Sequence, residues 1–180
     1  MPNWCSNKLI LTHNDKSKLQ QLIQAWNQGK FLGSILPEPD YTKISVLPTF
    51  PGIVKNNDPV EPSSAWWDWR VQNWGTKWEI DSESKPVEED SASLEVYFDT
   101  AWSPPIGVYV ALADRGFDVK ASYYEPGCDF CGRFTSENGE ETFTCGEAPE
   151  VITEAFEIEE EYSDDGEDPE PIITPAEPVV

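Results

Sequence analysis

From Ser93 to Tyr124 the hydrophobic period changes from two to 3.6 and back to two, and no other feature constrains the fold as tightly. In "SLEVYFDT", Leu94, Val96 and Phe98 fall on one side and Glu95, Tyr97 and Asp99 on the other, the pattern of a strand with one buried face. "WSPPIGVYVALADRGF" then reads as a helix. Ser103 is placed to cap it and Pro104 fits its first position. Ile106, Tyr109, Val110 and Ala113 make its apolar stripe, and Gly116 stops it. "FDVKASYY" returns to period two, with Phe117, Val119, Ala121 and Tyr123 alternating.

The opening of the chain has a similar grammar. "CSNKLILT" places Cys5, Asn7, Leu9 and Leu11 on one face of a strand. In the helix that follows, Asn14 or Asp15 caps the start, Leu19, Leu22, Ile23 and Trp26 form the stripe, and Gly29 suits the left-handed position past the end. "TKWEID" reads as a further strand with Trp78 and Ile80 on one face. The order strand, helix, strand, strand, helix, strand predicts an α+β ferredoxin-like (βαββαβ) domain, with helices on one face of an antiparallel sheet and the other face free to bind. The expected domain spans residues 1–145. A Pro- and Asn-rich insert near 31–64 carries Phe31, Ile35, Ile44, Val46, Leu47 and Phe50 as apolar anchors. "GRFTSENGEETFT" predicts a hairpin with a two-residue Asn138-Gly139 loop and Phe134 opposite Phe143. Residues 146–162 read as a short acidic helix or extension, and residues 163–180 have the composition of a disordered acidic tail.

Charge sorts the possible partners. The formal net charge is -22, and no Lys or Arg follows Arg133, so sixteen of the excess negative charges lie from Glu137 onward. Binding nucleic acid or anionic lipid needs Lys and Arg to neutralise phosphates, so neither is an expected direct partner. Tyr97 and Tyr124 on the open sheet face would offer bases a stacking platform, but Glu95, Asp99 and Glu79 accompany them and outweigh Lys77, Lys120 and Arg70. No apolar run approaches the ~18 residues of a membrane span. "MPNWCSNKLIL" lacks the pattern of a secretion signal, so a cytoplasmic setting with reduced thiols is expected.

The stretch "WWDWRVQNWGTKWEID" concentrates five of the eight tryptophans beside Arg70, Asn73 and Gly75. Trp74 and Trp102 flank strands and are expected to close one end of the sheet, with Trp4 joining them and Trp78 turned inward. Asn3, Asn73 and Asp99 are the nearby acceptors for buried indole N–H groups, and Arg70 is placed to stack on an indole or pair with Asp99. The candidate binding surface is therefore Asn3, Trp4, Arg70, Asn73, Trp74, Lys77, Trp78, Asp99, Trp102 and Glu125.

Catalytic signatures are sparse. There is no credible His dyad, no GxSxG elbow and no phosphate-cradling glycine loop. An Asp99–Glu125 carboxylate pair helped by Arg70 or Lys77 is the hydrolase alternative. Cys128-x-x-Cys131 with Cys145, and either Cys5 or His13, is the weak metal alternative, since a second Cys pair is missing. His13, at a strand-to-helix turn, is expected to face solvent. No cofactor is expected.

Four motifs occur in order: "MPNWCSN", "WR..NWGTKW", "FDTAWSPP" and "YYEPG..F.G". Over about Met1 to Phe143 the chain resembles the YubB-type ferredoxin-like domain proteins of phages and plasmids. The resemblance implies a ferredoxin-like fold and a mobile-element origin, and supplies no established catalytic activity to carry over. The expected role is a non-enzymatic accessory binding protein acting on a host or phage protein. One alternative is an acidic DNA mimic directed at a basic nucleic-acid-binding protein, with "EAPEVITEAFEIEEEYSDDGEDPE" as its negative strip.

Overall fold

The computed structural model describes residues 3–41, 65–80, 88 and 91–158. Five strands form one antiparallel sheet: β1 (Trp4–Thr12), β2 (Leu94–Ala101), β3 (Asp118–Glu125), β4 (Phe130–Thr135) and β5 (Gly139–Phe143). Their spatial order is β2-β1-β3-β4-β5. β1 is central to the packing because Leu9 stands between Val96 and Ala121, and Leu11 between Leu94 and Val119. The helices are α1 (Lys16–Asn27), α2 (Phe31–Ile35), α3 (Ala65–Asn73), α4 (Ile106–Asp114) and α5 (Glu150–Ala155).

One face of the sheet carries the core. Leu9, Leu11, Leu94, Val96, Phe98, Val119, Ala121 and Phe134 meet Leu19, Leu22, Ile23 and Trp26 of α1, Phe31, Leu32 and Ile35 of α2, Trp69 of α3, and Val108, Tyr109 and Leu112 of α4. The stripe expected for α1 is the buried one. Asp15 caps that helix by accepting from the Ser17 N–H at 2.9 Å, and Gly29 ends it at φ 64°. In α4 the buried stripe is Val108, Tyr109 and Leu112, whereas Val110 faces water. Ser103 does not cap α4. The helix begins later, at Ile106, and the Ser103 hydroxyl instead donates to the Gly75 carbonyl.

Three sequence expectations change. Thr76–Ile80 is not a strand, and Trp78 and Ile80 do not share a face: Ile80 is buried and Trp78 exposed. The hairpin loop has three residues, 136–138, closed by Gly139 at φ 74°. Phe134 therefore stands opposite Glu140, and Phe143 opposite Cys131. Finally, the second sheet face is not free. α5 lies across β3 and β4, burying Ile152 completely and stacking Phe156 on Tyr124 with ring centroids 6.1 Å apart. The expected anchors Ile44, Val46, Leu47 and Phe50, and the tail 163–180, lie outside the described residues.

Candidate functional site

The tryptophan-rich rim is fixed by hydrogen bonds to the backbone as well as by ring contacts. Trp4 pairs with Ala101 at the end of the β1–β2 ladder, and the Trp102 N–H extends that ladder by donating to the Asn3 carbonyl at 2.9 Å. Trp102 then turns the chain with φ 70°, a left-handed conformation that a bulky residue adopts only under constraint. Thr76 straps the preceding segment to the same corner: its hydroxyl donates to the Ala101 carbonyl and accepts from the Ala101 N–H, both at 3.1 Å. Gly75 makes the approach possible at φ 93°, where an added Cβ would meet the Pro104 carbonyl at 2.7 Å. Lys77 and Trp78 are thereby delivered to the rim where Trp4 and Trp102 emerge.

The outcome is a row of exposed indoles. Trp4 and Trp78 lie 5.9 Å apart between centroids, Trp78 and Trp102 6.4 Å, and Trp102 and Trp67 6.4 Å. Their exposures are 49%, 37%, 40% and 39% for Trp4, Trp78, Trp102 and Trp67, against 1% for Trp74. The Lys77 ammonium sits 4.7 Å from the Trp78 ring centre and 5.4 Å from that of Trp102, within cation–π range of both.

A second, less exposed layer is gathered around Arg70 and the buried Trp74. Arg70 is held between Trp66 and Trp74, at 5.2 and 4.8 Å from their ring centres, and pairs with Glu38 at 2.5 Å. Burial works to raise the Glu38 carboxyl, but the hydrogen bonds from Arg70 and Tyr41 outweigh it and hold it below the ordinary carboxylate range. The Trp74 indole N–H donates to the Leu36 carbonyl at 2.8 Å, and Asn73 donates to the Trp69 carbonyl at 2.8 Å. Neither Asn3, Asn73 nor Asp99 is the acceptor for Trp74, and Arg70 pairs with Glu38, not Asp99. Glu79 accepts from the Leu32, Gly33 and Ile80 backbone N–H groups at 2.7, 2.8 and 3.1 Å. Burial raises its pKa, and those same N–H groups oppose the rise.

Of the candidate residues, Trp4, Arg70, Trp78 and Asp99 come together with Glu79 and Thr100 around a cavity of about 610 Å³. Lys77 and Trp102 adjoin it through the indole row, while Asn73 and Trp74 belong to the supporting layer. Asn3 reaches the other way, with its amide 3.4 Å from the Cys128 sulfur. Asp99 and Glu125 do not form a carboxylate pair. Strand alternation turns Asp99 to the α5 side, where it accepts from Ser6 at 2.8 Å, and Glu125 to the core side. There Glu125 is buried and caps a 3₁₀ turn, accepting from Gly127 and Cys128 at 2.9 and 2.7 Å. Trp67, Glu38 and Glu79 were not among the sequence candidates. The helix that presents Trp67 outward was not expected, since it buries only the i, i+4 pair Ala65 and Trp69.

The cysteines do not make a donor set. Among the described residues no group of three or more His, Cys, Asp or Glu side chains is arranged to hold a metal ion. Cys128 is exposed and Cys131 is fully buried. The Cys131 thiol is pushed up to about 11, chiefly by burial and then by Cys145 and Asp129. Burial likewise pushes Cys5 up to about 12. His13 is only half exposed: its ring packs 4.6 Å from Phe117 and its Nδ1 accepts from the Asp15 N–H at 2.8 Å.

On the α5 side of the sheet the cations are already engaged. Lys8 pairs with Glu95 at 3.5 Å and lies over Tyr97, and Arg133 pairs with Glu141 at 2.5 Å. Tyr124 is covered by Phe156, so the stacking platform considered for bases is divided by α5. Among the described residues no helix is long and apolar enough to cross a membrane.

Residues 73–165 match the family described as the ferredoxin-like domain in Api92-like protein. The crystal structure of protein api92 from Yersinia pseudotuberculosis is similar over 83% of this chain and 100% of its own, at 11% identity and a TM-score of 0.40. Among curated proteins none matches the chain.

Proposed function

From the premise that the chain belongs to the Api92-like family of ferredoxin-like domains, we propose that it is a non-enzymatic binding module whose recognition surface is the row Trp4, Trp78, Trp102 and Trp67. In this reading β1, α1, β2, α4 and β3 are the ferredoxin-like core, with β4 and β5 as an extension, and the setting is a phage or plasmid product meeting a host protein. The observation that carries the reading is four contiguous indoles, each more than a third exposed, on a rim whose backbone is strained to present one of them. At ~40% exposure of a ~250 Å² side chain, the row offers roughly 400 Å² of aromatic surface, the size of a functional patch. Complete burial is worth about 10 kcal/mol at ~25 cal/mol per Å², the same order as the ~4–15 kcal/mol cost of association. The row is therefore sufficient to anchor a partner only with an added polar or charged contact.

The test is partner capture from host lysate by the wild type and by Trp78→Ala and Trp102→Ala. The expected result is loss of one specific captured protein in both variants, each of which still unfolds in one cooperative transition. Retention of that protein by both variants overturns the reading. A second reading, a nucleic-acid mimic, rests on the sixteen acids after Arg133, of which Glu150, Glu154 and Glu157 lie on or beside α5. Removing Glu159–Val180 separates the two. Salt-insensitive capture that survives this deletion excludes the mimic, and salt-sensitive capture that vanishes with it supports the mimic.

A further inference from the structure

We propose that the partner presents a cationic side chain, arginine in preference to lysine, to the cavity walled by Trp4, Trp78 and Asp99; this rests on the reading of the indole row as the binding surface. The row itself already holds a cation. The Lys77 ammonium lies within 5.4 Å of the centres of both Trp78 and Trp102, so these rings present their electron-rich faces to positive charge within the folded chain. Trp4 adds a second indole 5.9 Å from Trp78, tilted by 38°, and these two rings line the cavity of about 610 Å³ together with Asp99.

The charges around that cavity select the occupant. Asp99 is exposed, accepts one hydrogen bond from Ser6 and makes no ion pair among the described residues. Glu79 is a second acid on the lining. Arg70 is the cation there, and Glu38 engages its guanidinium. With Arg70 matched by Glu38 and Lys77 standing against Trp78, Asp99 and Glu79 leave the rim one charge negative, in a chain of formal charge -22. An anionic partner is repelled. A purely apolar partner that covered Trp4 and Trp78 would strip water from the Asp99 carboxylate and leave it unpaired, which opposes binding. A cationic side chain satisfies the carboxylate and stacks on the indoles in one placement. Arginine does both better than lysine, because its planar guanidinium lies flat on a ring while its N–H fork bonds a carboxylate.

The test is calorimetric and fluorescence titration of the full chain with three end-blocked peptides of equal length, alternating glycine with arginine, lysine or citrulline. The arginine peptide is expected to bind most tightly and to quench tryptophan emission, the lysine peptide more weakly, and the citrulline peptide not measurably. Trp78→Leu and Asp99→Asn should each weaken arginine-peptide binding about tenfold. Glu177→Gln removes the same charge from the C-terminal segment and should leave the affinity unchanged. Asp99→Asn alters an exposed side chain, so it decides the matter even where Trp78→Leu fails to fold. Equal loss in Asp99→Asn and Glu177→Gln, binding of citrulline as tightly as arginine, or no binding at millimolar peptide overturns the proposal. Partner capture lost in Trp102→Ala alongside an inert arginine peptide refutes the cation alone. Capture indifferent to both Trp78→Ala and Trp102→Ala refutes the underlying surface, whatever the peptides do.

Discussion

The backbone carbonyl of Asn73, at the end of α3, rests so closely on Gly107 of α4 that a Cβ there would lie 1.9 Å from the carbonyl oxygen. The contact is backbone against backbone, so neither side can yield by rotating a side chain. It sets how deeply α3 seats on α4, and α3 carries Trp67 outward and Trp69 inward. Gly107→Ala is expected to cost about 1–3 kcal/mol through forced separation of the helices. Urea unfolding measures the loss, and near-ultraviolet circular dichroism should report altered indole packing in the folded variant. An unchanged midpoint would mean that α3 shifts without cost.

Trp102 gives a test of strain that cancels the contribution of its own ring. At φ 70° any L-residue there costs ~1–2 kcal/mol, which glycine does not incur. Glycine also loses more chain entropy on folding, by ~0.4–1 kcal/mol relative to alanine. Trp102→Gly and Trp102→Ala both remove the indole, so their difference isolates the backbone. The glycine variant is expected to be more stable by about 0.5–1 kcal/mol. Thermal or urea unfolding of the two variants side by side measures this. An alanine variant equal to or more stable than the glycine variant would show that the backbone relaxes once the ring is gone.

The parts of this fold that could be read from sequence are those whose burial follows a local period. Leu19, Leu22, Ile23 and Trp26 on α1, and Leu94, Val96 and Phe98 on β2, reach the core because their neighbours in sequence are spaced to expose the opposite side. The strand expected at Thr76–Ile80 had the same alternation, yet the Thr76 side chain supplies both bonds to Ala101 that a ladder would have made. α3 was unreadable for a different reason. Only Ala65 and Trp69 of its nine residues are buried, and Arg70, nominally polar, packs inward between two indoles. Within the site, Trp4 and Trp102 stand beside the ends of β1 and β2 and so meet at one corner, whereas Trp78 was expected inward on a strand and instead joins the exposed row, and Trp74 is buried. The Arg70–Glu38 pair joins residues 32 apart and has no local signature. The covering of Tyr124 by Phe156 is equally non-local, and the two-residue Asn-Gly loop was displaced by a three-residue one that moves Phe134 opposite Glu140.

The Arg70–Glu38 pair makes a pH prediction of definite sign. Glu38 is held below the ordinary carboxylate range in the folded protein, so its contribution to stability is complete above its unfolded pKa and is lost as pH falls through the folded value. Glu38→Gln keeps an acceptor for Arg70 but removes the titration. The stability gap between wild type and Glu38→Gln should be largest near pH 7 and shrink steadily towards pH 3. Glu79 acts with the opposite sign. Its pKa is raised, so its ionised form weakens the fold as pH rises through the folded value, and it blunts the wild-type acid transition without affecting the comparison. Melting temperatures of the two proteins at pH 7, 5, 4 and 3 give the result. A gap independent of pH would assign the Glu38 contribution to packing.

Ile152 decides whether α5 is part of the core or a cover laid on the sheet. It is the fully buried residue of a six-residue helix, and Phe156, just past the end of that helix, stacks on Tyr124. A helix this short has little stability of its own in water, so its order depends on that anchoring. Ile152→Asp removes the anchor and places a charge against β3 and β4, a local cost of at least ~3 kcal/mol. Since the core lies on the opposite face, the expected effect is local: amides of 145–158 lose hydrogen-exchange protection while those of β1 and β3 keep theirs. Detachment should also uncover Tyr124 and raise binding of an apolar dye, with the urea midpoint of the sheet falling by less than the local cost. Loss of protection throughout β1 and β3 would show instead that the sheet needs α5 to fold.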